Sequence, residues 1–402
     1  MSSVLLIAPT IDATDVGEAW VAYQWAAGIS QRHQATILTY AKRGAPRASE
    51  QLPEARVIEW DEPPLLGRAE RLNSLMKPGY MPFFLRAHAW AKAARRRGER
   101  FDVAHQVVPV AMRYPTPLLG TGLPYVLGPV GGGLTSPPAF VPEEGSAPWY
   151  TSLRHVDQWR LRHDRLLRRS YEEAECVLAI APYVADALHG LKIRRLEIMG
   201  ETGVTELPDR VPRPGQEPPT RVRLLHVGRL VRTKGARDVI RSLGMLRDID
   251  LALDIVGDGP DRSECERLVR EMNLEDRVSF HGRVPRTAVE VFYEQADVFV
   301  FPSYREPGGN VQFEAMAHGL PLIVGDRGGP SAAVDDTCAI LITPRDPLSY
   351  AADIAAAVRR LATEPELRRQ MGEASLRRVA EVGLWRSKFD RVSQLYDDIA
   401  GR

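Results

Sequence analysis

Two carboxylates, Glu306 and Glu314, flank a double glycine in the stretch Phe301-Pro302-Ser303-Tyr304-Arg305-Glu306-Pro307-Gly308-Gly309-Asn310-Val311-Gln312-Phe313-Glu314-Ala315-Met316-Ala317-His318-Gly319-Leu320-Pro321. The apolar run before it reads as a buried strand, and Gly319-Leu320-Pro321 stops the helix that opens near Asn310. Paired glycines let a backbone come close to a ligand, so the N–H groups of Gly309, Asn310 and Val311 can face an anion. Glu306 lies just before that cradle. Glu314 lies about one helical turn inside it, where a carboxylate can accept bonds from vicinal hydroxyls. One carboxylate for a sugar ring, amides for a diphosphate and one carboxylate for a ribose would suit a sugar nucleotide. The competing reading puts Glu306 in a surface loop and makes Glu314 a helix-dipole complement. That reading leaves the double glycine after a buried strand without a reason.

A second constellation precedes it. In Leu224-Leu225-His226-Val227-Gly228-Arg229-Leu230-Val231-Arg232-Thr233-Lys234-Gly235 a strand ends at Val227, a glycine allows a tight turn, and a helix starts near Ala236. Arg229 and Lys234 flank the turn. Two cations beside the positive end of a helix make a phosphate site. The same charges would also suit a solvated loop.

Both constellations need strands that end where helices begin, and the chain supplies them throughout. Short apolar runs at Val4–Ala8, Ala35–Thr39, Arg56–Glu59, Val103–Gln106, Tyr125–Leu127 and Cys176–Ile180 alternate with helical patterns at Gly17–Gln31, Phe83–Arg97 and Ser152–Ala174. The alternation resumes with strands at Arg223–Val227, Leu251–Val256, Val278–His281, Val298–Pro302, Leu322–Val324 and Ala339–Ile342. Its helices include Ala236–Arg247, Ser263–Met272 and Val311–His318. Strand, helix, strand is the pattern of a parallel sheet covered on both faces. Between the two rounds, Pro208, Pro212, Pro214, Pro218 and Pro219 crowd together and break helix and ladder alike, which reads as a linker. Two doubly wound units joined this way predict a cleft where strand ends and helix N-termini converge.

Length and composition agree. The chain has 402 residues, 44% hydrophobic and 26% charged, with a net charge of +1. Chains of this length usually divide into two domains, and so small a net charge recruits no nucleic acid. Cys176, Cys265 and Cys338 are too far apart for a disulfide framework or a zinc cluster, and a reducing cytoplasm is the natural setting. Val4–Ala8 is a strand rather than a secretory leader, and no run approaches a membrane span. The expectation is a soluble or peripheral protein.

Glu306 and Glu314, followed by Ala-Met-Ala-His-Gly-Leu-Pro, resemble the hallmark of family 4 of the retaining glycosyltransferases. Gly228-Arg229 with Lys234-Gly235 resembles that family's phosphate segment. Val256-Gly257-Asp258-Gly259-Pro260 and Gly328-Gly329-Pro330 stand in the family's order. The resemblance is strong from His226 to Pro330 and weaker towards both ends. It implies an α/β GT-B fold, two Rossmann-like doubly wound domains facing across a cleft. It also implies that Arg229 and Lys234 bind the donor diphosphate and stabilise the leaving group, and that Glu306 holds sugar hydroxyls. By the same resemblance Gly308, Gly309, Asn310 and Val311 form the cradle, Glu314 binds the ribose, and backbone near Arg283 and Val284 reads the base. Gly17 stands near the family's N-terminal glycine loop, which implies a contact to the donor phosphate, although this chain has one glycine there instead of two. The family's sugar-facing histidine has no counterpart in Pro124–Gly133. His105 is the nearest substitute, or else a strand-end histidine bonded to backbone. Gly131, Gly132 and Gly133 could touch sugar or acceptor, or form a mobile loop. The family generally uses no metal and no cofactor.

The expected layout is a first domain over 1–205 on the acceptor side and a linker over 206–221. A donor domain follows over 222–384, and a final helix over 385–402 returns to the first domain. Two basic stretches, Arg86–Arg100 and Arg154–Arg169, are either solvated helix faces or contacts to anionic lipid on the inner face of the membrane. The expected activity is a retaining, metal-independent hexosyl transfer from a UDP or GDP sugar to a hydroxyl acceptor, in polysaccharide or glycoconjugate synthesis. Two alternatives stay open: a sugar-nucleotide epimerase, which needs no acceptor, and a silent donor-binding subunit.

Overall fold

The computed structural model describes residues 1–15, 17–41, 44–62, 79–145, 154–208 and 221–401. Most of the proline cluster lies outside these residues, as do Ser152 and the residue after it. Contacts divide the chain into two units. One comprises Met1–Gly133, Trp149–Glu201 and Trp385–Arg402; the other comprises Leu134–Pro148 and Thr202–Leu384.

Among the described residues the first unit holds seven parallel strands: β1 (Ser3–Thr10), β2 (Gln34–Ala41), β3 (Arg56–Asp61), β4 (Val103–Gln106), β5 (Tyr125–Val130), β6 (Cys176–Ala179) and β7 (Leu196–Ile198). Their order is β3-β2-β1-β4-β5-β6-β7. Sequence periodicity missed β7, a three-residue edge strand that is only partly buried. The expected helix over Ser152–Ala174 is two helices, Arg154–His163 and Arg165–Glu172. Asp164 leaves helical geometry between them, and its carboxylate accepts from the N–H groups of Leu166 and Leu167. A local cap thus competes with helix continuation and wins. The final helix, Trp385–Ala400, packs in this unit. Trp385 and Phe389 meet Trp25 edge-on, and a Cβ on Gly28 would lie 2.0 Å from the Phe389 ring.

The second unit repeats the pattern with β8 (Val222–Val227), β9 (Leu251–Val256), β10 (Val278–Gly282), β11 (Val298–Phe301), β12 (Leu322–Gly325) and β13 (Ala339–Ile342). Their order is β10-β9-β8-β11-β12-β13, all parallel. Alternate side chains feed two cores, because successive Cβ atoms point to opposite faces. Leu224, Val298, Val300 and Ile323 enter one core; Leu225, Phe299, Phe301, Leu322 and Val324 enter the other. Burial on both faces accounts for near-continuous apolar runs rather than alternation.

Leu134–Pro148 was read from sequence with the first half, yet it groups with the second unit. The reason is Phe140 in the 3-10 helix Pro138–Glu144. Its ring is fully buried, 4.4 Å from the Tyr304 ring and 5.5 Å from the Tyr350 ring. Burying a phenylalanine this completely contributes about 2–3 kcal/mol.

Candidate functional site

The order of the second sheet puts its topological switch between β8 and β11. In doubly wound sheets, loops leaving adjacent strand ends at such a switch diverge and open a crevice. The two loops here are Gly228–Gly235 and Pro302–Asn310, the two constellations read from the sequence.

Backbone contacts lock these loops. Gly228 N donates to Val256 O at 3.0 Å, Leu230 N to Asp258 O at 3.0 Å, and Asp261 N to Leu230 O at 3.0 Å. A Cβ on Gly257 would sit 1.9 Å from Gly228 O, and one on Gly259 2.2 Å from Leu230 O. Val256–Pro260 is therefore a packing device that shapes the cationic loop. Gly235 has φ 82°, and a Cβ there would lie 2.4 Å from Pro302 O, joining the first loop to the second. The Gly328-Gly329-Pro330 turn supports the second loop in turn. Gly329 N donates to Glu306 O at 2.9 Å, and a Cβ on Gly328 would fall 2.1 Å from that oxygen.

On this frame Lys234 and Glu306 form an ion pair, and the Lys234 ammonium lies 5.4 Å from the centre of the Phe301 ring. Loss of solvation first, then the positive charges of Arg229 and Arg305, pull the Lys234 pKa down to about 8. The Glu306 carboxylate acts in the opposite sense and favours the charged ammonium. Arg229 is exposed. Arg232, between the two, is sequestered. Its guanidinium makes a bidentate pair with Asp238 at 2.6 and 2.9 Å, bonds Glu143 at 2.8 Å, and lies over the Phe140 and Tyr304 rings.

Glu314 is held on both oxygens, by Asn310 Nδ2 at 2.7 Å and by the Tyr293 hydroxyl at 3.0 Å. His318 stacks on Tyr293 and its Nδ1 lies 2.9 Å from Glu314 O. Gly309 has φ 103°, and its carbonyl accepts from Thr202 Oγ1 at 2.8 Å and Gln312 Nε2 at 3.1 Å. The helix that follows, Val311–Ala317, is short, and its first N–H groups have no carbonyl ahead of them within the helix. Arg283, just past β10, is exposed, and Val284 packs partly against the core beneath β11.

Sequence reasoning missed Tyr293, which comes from the helix Arg286–Gln295 and carries no local signal. It also missed Arg305, whose Nη1 donates to Ser136 Oγ at 2.8 Å and Glu144 Oε2 at 2.9 Å.

In the first unit, Gly17 precedes the helix Glu18–Ser30, and Val110 N donates to Glu18 Oε1 at 2.8 Å, linking the loops after β1 and β4. Gly131 bonds Val110 and Met112 through backbone, and Gly132 N donates to the Tyr183 hydroxyl at 3.0 Å. Gly132 and Gly133 have φ 98° and 76°, so glycine is needed at both. His105 does not join a polar surface. It is fully buried in β4, with Nε2 2.6 Å from Gly128 O and Nδ1 2.5 Å from the Tyr396 hydroxyl. A carbonyl only accepts, so Nε2 carries the proton and Nδ1 accepts from Tyr396. Of the two readings of this residue, its surroundings are those of a core histidine bonded to backbone.

The first basic stretch lies on the helix Tyr80–Arg96, whose Phe83, Phe84, Ala87, Ala91 and Ala94 are buried while Met81 and Leu85 are exposed. In the second, Trp159 and Leu166 are exposed and Leu161 and Leu167 are buried. Among the described residues no helix is long and apolar enough to cross a membrane, and no cluster of His, Cys, Asp and Glu could hold a metal.

Two parallel Rossmann-like sheets with this strand order define an α/β chain of the GT-B class. Residues 209–378 match the model of the glycosyl transferases group 1 family. It is 32% identical over 204 residues to the lipopolysaccharide core biosynthesis glycosyltransferase LpsD of Rhizobium meliloti, covering 50% of this chain and 57% of that one. It is 32% identical over 186 residues to a D-inositol 3-phosphate glycosyltransferase of Thermomonospora curvata, covering 43% of this chain and 42% of the other. The chain thus spans about half the length of the curated relatives it matches. Solved structures match nearly end to end. Sucrose-phosphate synthase from Thermosynechococcus elongatus gives a TM-score of 0.67 at 22% identity, covering 99% of each chain. HepE of Anabaena, in complex with UDP and glucose, gives 0.63 at 16% identity, covering 99% of this chain and 100% of that one. At these identities the likeness is one of fold.

Proposed function

We propose that the chain is a retaining, metal-independent glycosyltransferase that moves a hexose-type sugar from a UDP or GDP sugar to an acceptor hydroxyl. The observation that carries this reading is the ion pair between Lys234 and Glu306 at the switch point. A cation for a phosphate and a carboxylate for sugar hydroxyls meet there, as the junction between a sugar and its diphosphate requires. Arg229 and Lys234 hold the diphosphate, Glu306 the sugar, Gly308 to Val311 the phosphate amides, Glu314 the ribose, and backbone at Arg283 and Val284 the base. The donor side is 222–384 together with Leu134–Pro148, and the acceptor side is the rest of 1–205, with 206–221 as linker and 385–402 as the returning helix. Gly17 is a donor contact, Gly131 to Gly133 contact sugar or acceptor, and His105 supports them from within the core.

In the reaction the bond between the anomeric carbon and the phosphate oxygen breaks, and its electron pair leaves with the diphosphate. The acceptor oxygen bonds the anomeric carbon on the same face, and its proton passes to the departing phosphate oxygen. Preorganised positive charge stabilises the leaving group and supplies most of the acceleration. These side chains do the work a divalent cation would otherwise do, so turnover should survive a strong chelator. Complete loss with EDTA, restored by magnesium or manganese, would overturn that part. The setting is cytoplasmic, in polysaccharide or glycoconjugate synthesis. Met81 and Leu85 beside Arg86, and Trp159 and Leu166 beside their arginines, offer a peripheral contact to anionic lipid.

The test is a thermal-shift screen of donor nucleotides followed by acceptors with the best donor. The product's anomeric configuration should match the donor's. Conversion of donor without acceptor would instead make the chain an epimerase, and tight donor binding without turnover would make it a silent subunit.

A further inference from the structure

We propose that Arg305 is a third cation of the diphosphate site, and that Glu144 sets how much of its charge a bound anion feels. This rests on the donor-site reading above. Arg305 directly precedes Glu306 at the end of β11, and its charge acts on the Lys234 ammonium together with that of Arg229. Three positive groups therefore share the adjacent ends of β8 and β11.

The comparison with Arg232 separates a structural arginine from an available one. Arg232 is almost wholly buried, paired with two acids and covered by two rings. Arg305 keeps 26% of its side chain exposed and, among the described residues, meets a single acid, Glu144. Its bonds to Ser136 and Glu144 are both made by Nη1. A guanidinium has five N–H donors in a fixed fork, so most of the fork is left to face a phosphate. Glu144 itself cannot drift. It ends the 3-10 helix whose Phe140 is locked in the core and whose Glu143 bonds Arg232 and Arg241. The segment thus presents a fixed negative charge to Arg305 and competes with any incoming anion for it.

The sign of the effect is the test. Inorganic pyrophosphate is titrated calorimetrically into the full chain and its variants, with thermal melts alongside. Arg305→Ala should weaken pyrophosphate by roughly tenfold, and Arg305→Lys, which keeps the charge but loses the fork, should fall between it and the parent. Glu144→Gln should tighten pyrophosphate by roughly threefold, because the neutral amide no longer competes. In Glu144→Gln with Arg305→Ala that gain should vanish. A merely structural pair predicts the reverse for Glu144→Gln: a lowered melt with affinity unchanged or weaker. That result would overturn the proposal. Should Glu144→Gln fail to fold, parent-like affinity in both Arg305→Lys and Arg305→Ala would overturn it equally. Lys234→Ala separates the two levels. If it weakens pyrophosphate while the Arg305 variants do not, this inference falls and the donor site stands. If it too leaves affinity unchanged, the donor site falls, and this inference with it.

Discussion

Lys234 and Glu306 close two different loops, one after β8 and one after β11, and neutralise each other at the switch point between them. On the proposed reading a sugar nucleotide separates them, giving the ammonium a phosphate and the carboxylate a sugar hydroxyl in exchange.

The exchange has a consequence for substitution. Glu306→Gln should lower turnover strongly without weakening a free nucleoside diphosphate, which has no sugar and gains an uncontested Lys234. Arg229→Ala or Lys234→Ala should weaken the nucleoside diphosphate by roughly tenfold or more, the equivalent of one charged hydrogen bond. Glu314→Ala should weaken nucleoside diphosphate through the ribose and leave inorganic pyrophosphate unaffected. Calorimetry on the four variants measures this. A loss of nucleotide affinity in Glu306→Gln as large as in Arg229→Ala would remove the sugar from Glu306.

Affinity should also depend on pH. The Lys234 pKa stands near 8, below the ordinary lysine range, because of desolvation and then Arg229 and Arg305. A depressed lysine is charged below that value and neutral above it. Diphosphate affinity should therefore hold steady below about pH 7 and fall as pH rises through 8, and binding in that range should take up protons. Lys234→Arg should flatten the profile, since arginine keeps its charge. An unchanged decline in that variant would assign the titration elsewhere.

Gly328→Ala tests the support of the second loop. Its φ of 71° disfavours any side chain, and the new Cβ would lie 2.1 Å from Glu306 O. The expected outcome is a loss of about 2–3 kcal/mol in urea unfolding together with a turnover defect. Unfolding identical to the parent would show that the turn does not set the Glu306 loop.

His105 predicts acid sensitivity. Burial lowers its pKa to about 4, against an unfolded value near 6.5. The folded state thus binds fewer protons than the unfolded chain between these values, so this contribution is complete above about 6.5 and is lost as pH falls through 4. It amounts to about 3 kcal/mol. Urea midpoints taken from about pH 7 down to 4.5 should fall less steeply in His105→Gln than in the parent. Parallel curves would mean that other groups carry the acid response.

The parts of this chain that its sequence determined are those set by neighbours along the backbone. Val103–Gln106, Leu251–Val256 and Ala339–Ile342 are strands with the bounds their apolar runs imply, because burial on both faces of a parallel sheet leaves a local hydrophobic mark. The glycines at 235, 257, 259 and 328 mark close backbone approaches, and those too are written as residue types. What only the tertiary structure decided are the pairings made across the fold. Three basic residues, Arg229, Arg232 and Lys234, share one loop, and nothing local says that Arg232 is locked against Asp238 and Glu143 while Lys234 meets Glu306. His105 looks like a site residue until β5 and the final helix close over it with Gly128 and Tyr396. Phe140, Glu143 and Glu144 read as part of the first half, yet their ring and charges are satisfied in the second sheet's core and loops. A charge or a ring finds its partner through space, and the energy of that choice depends on burial, which a one-dimensional pattern does not carry.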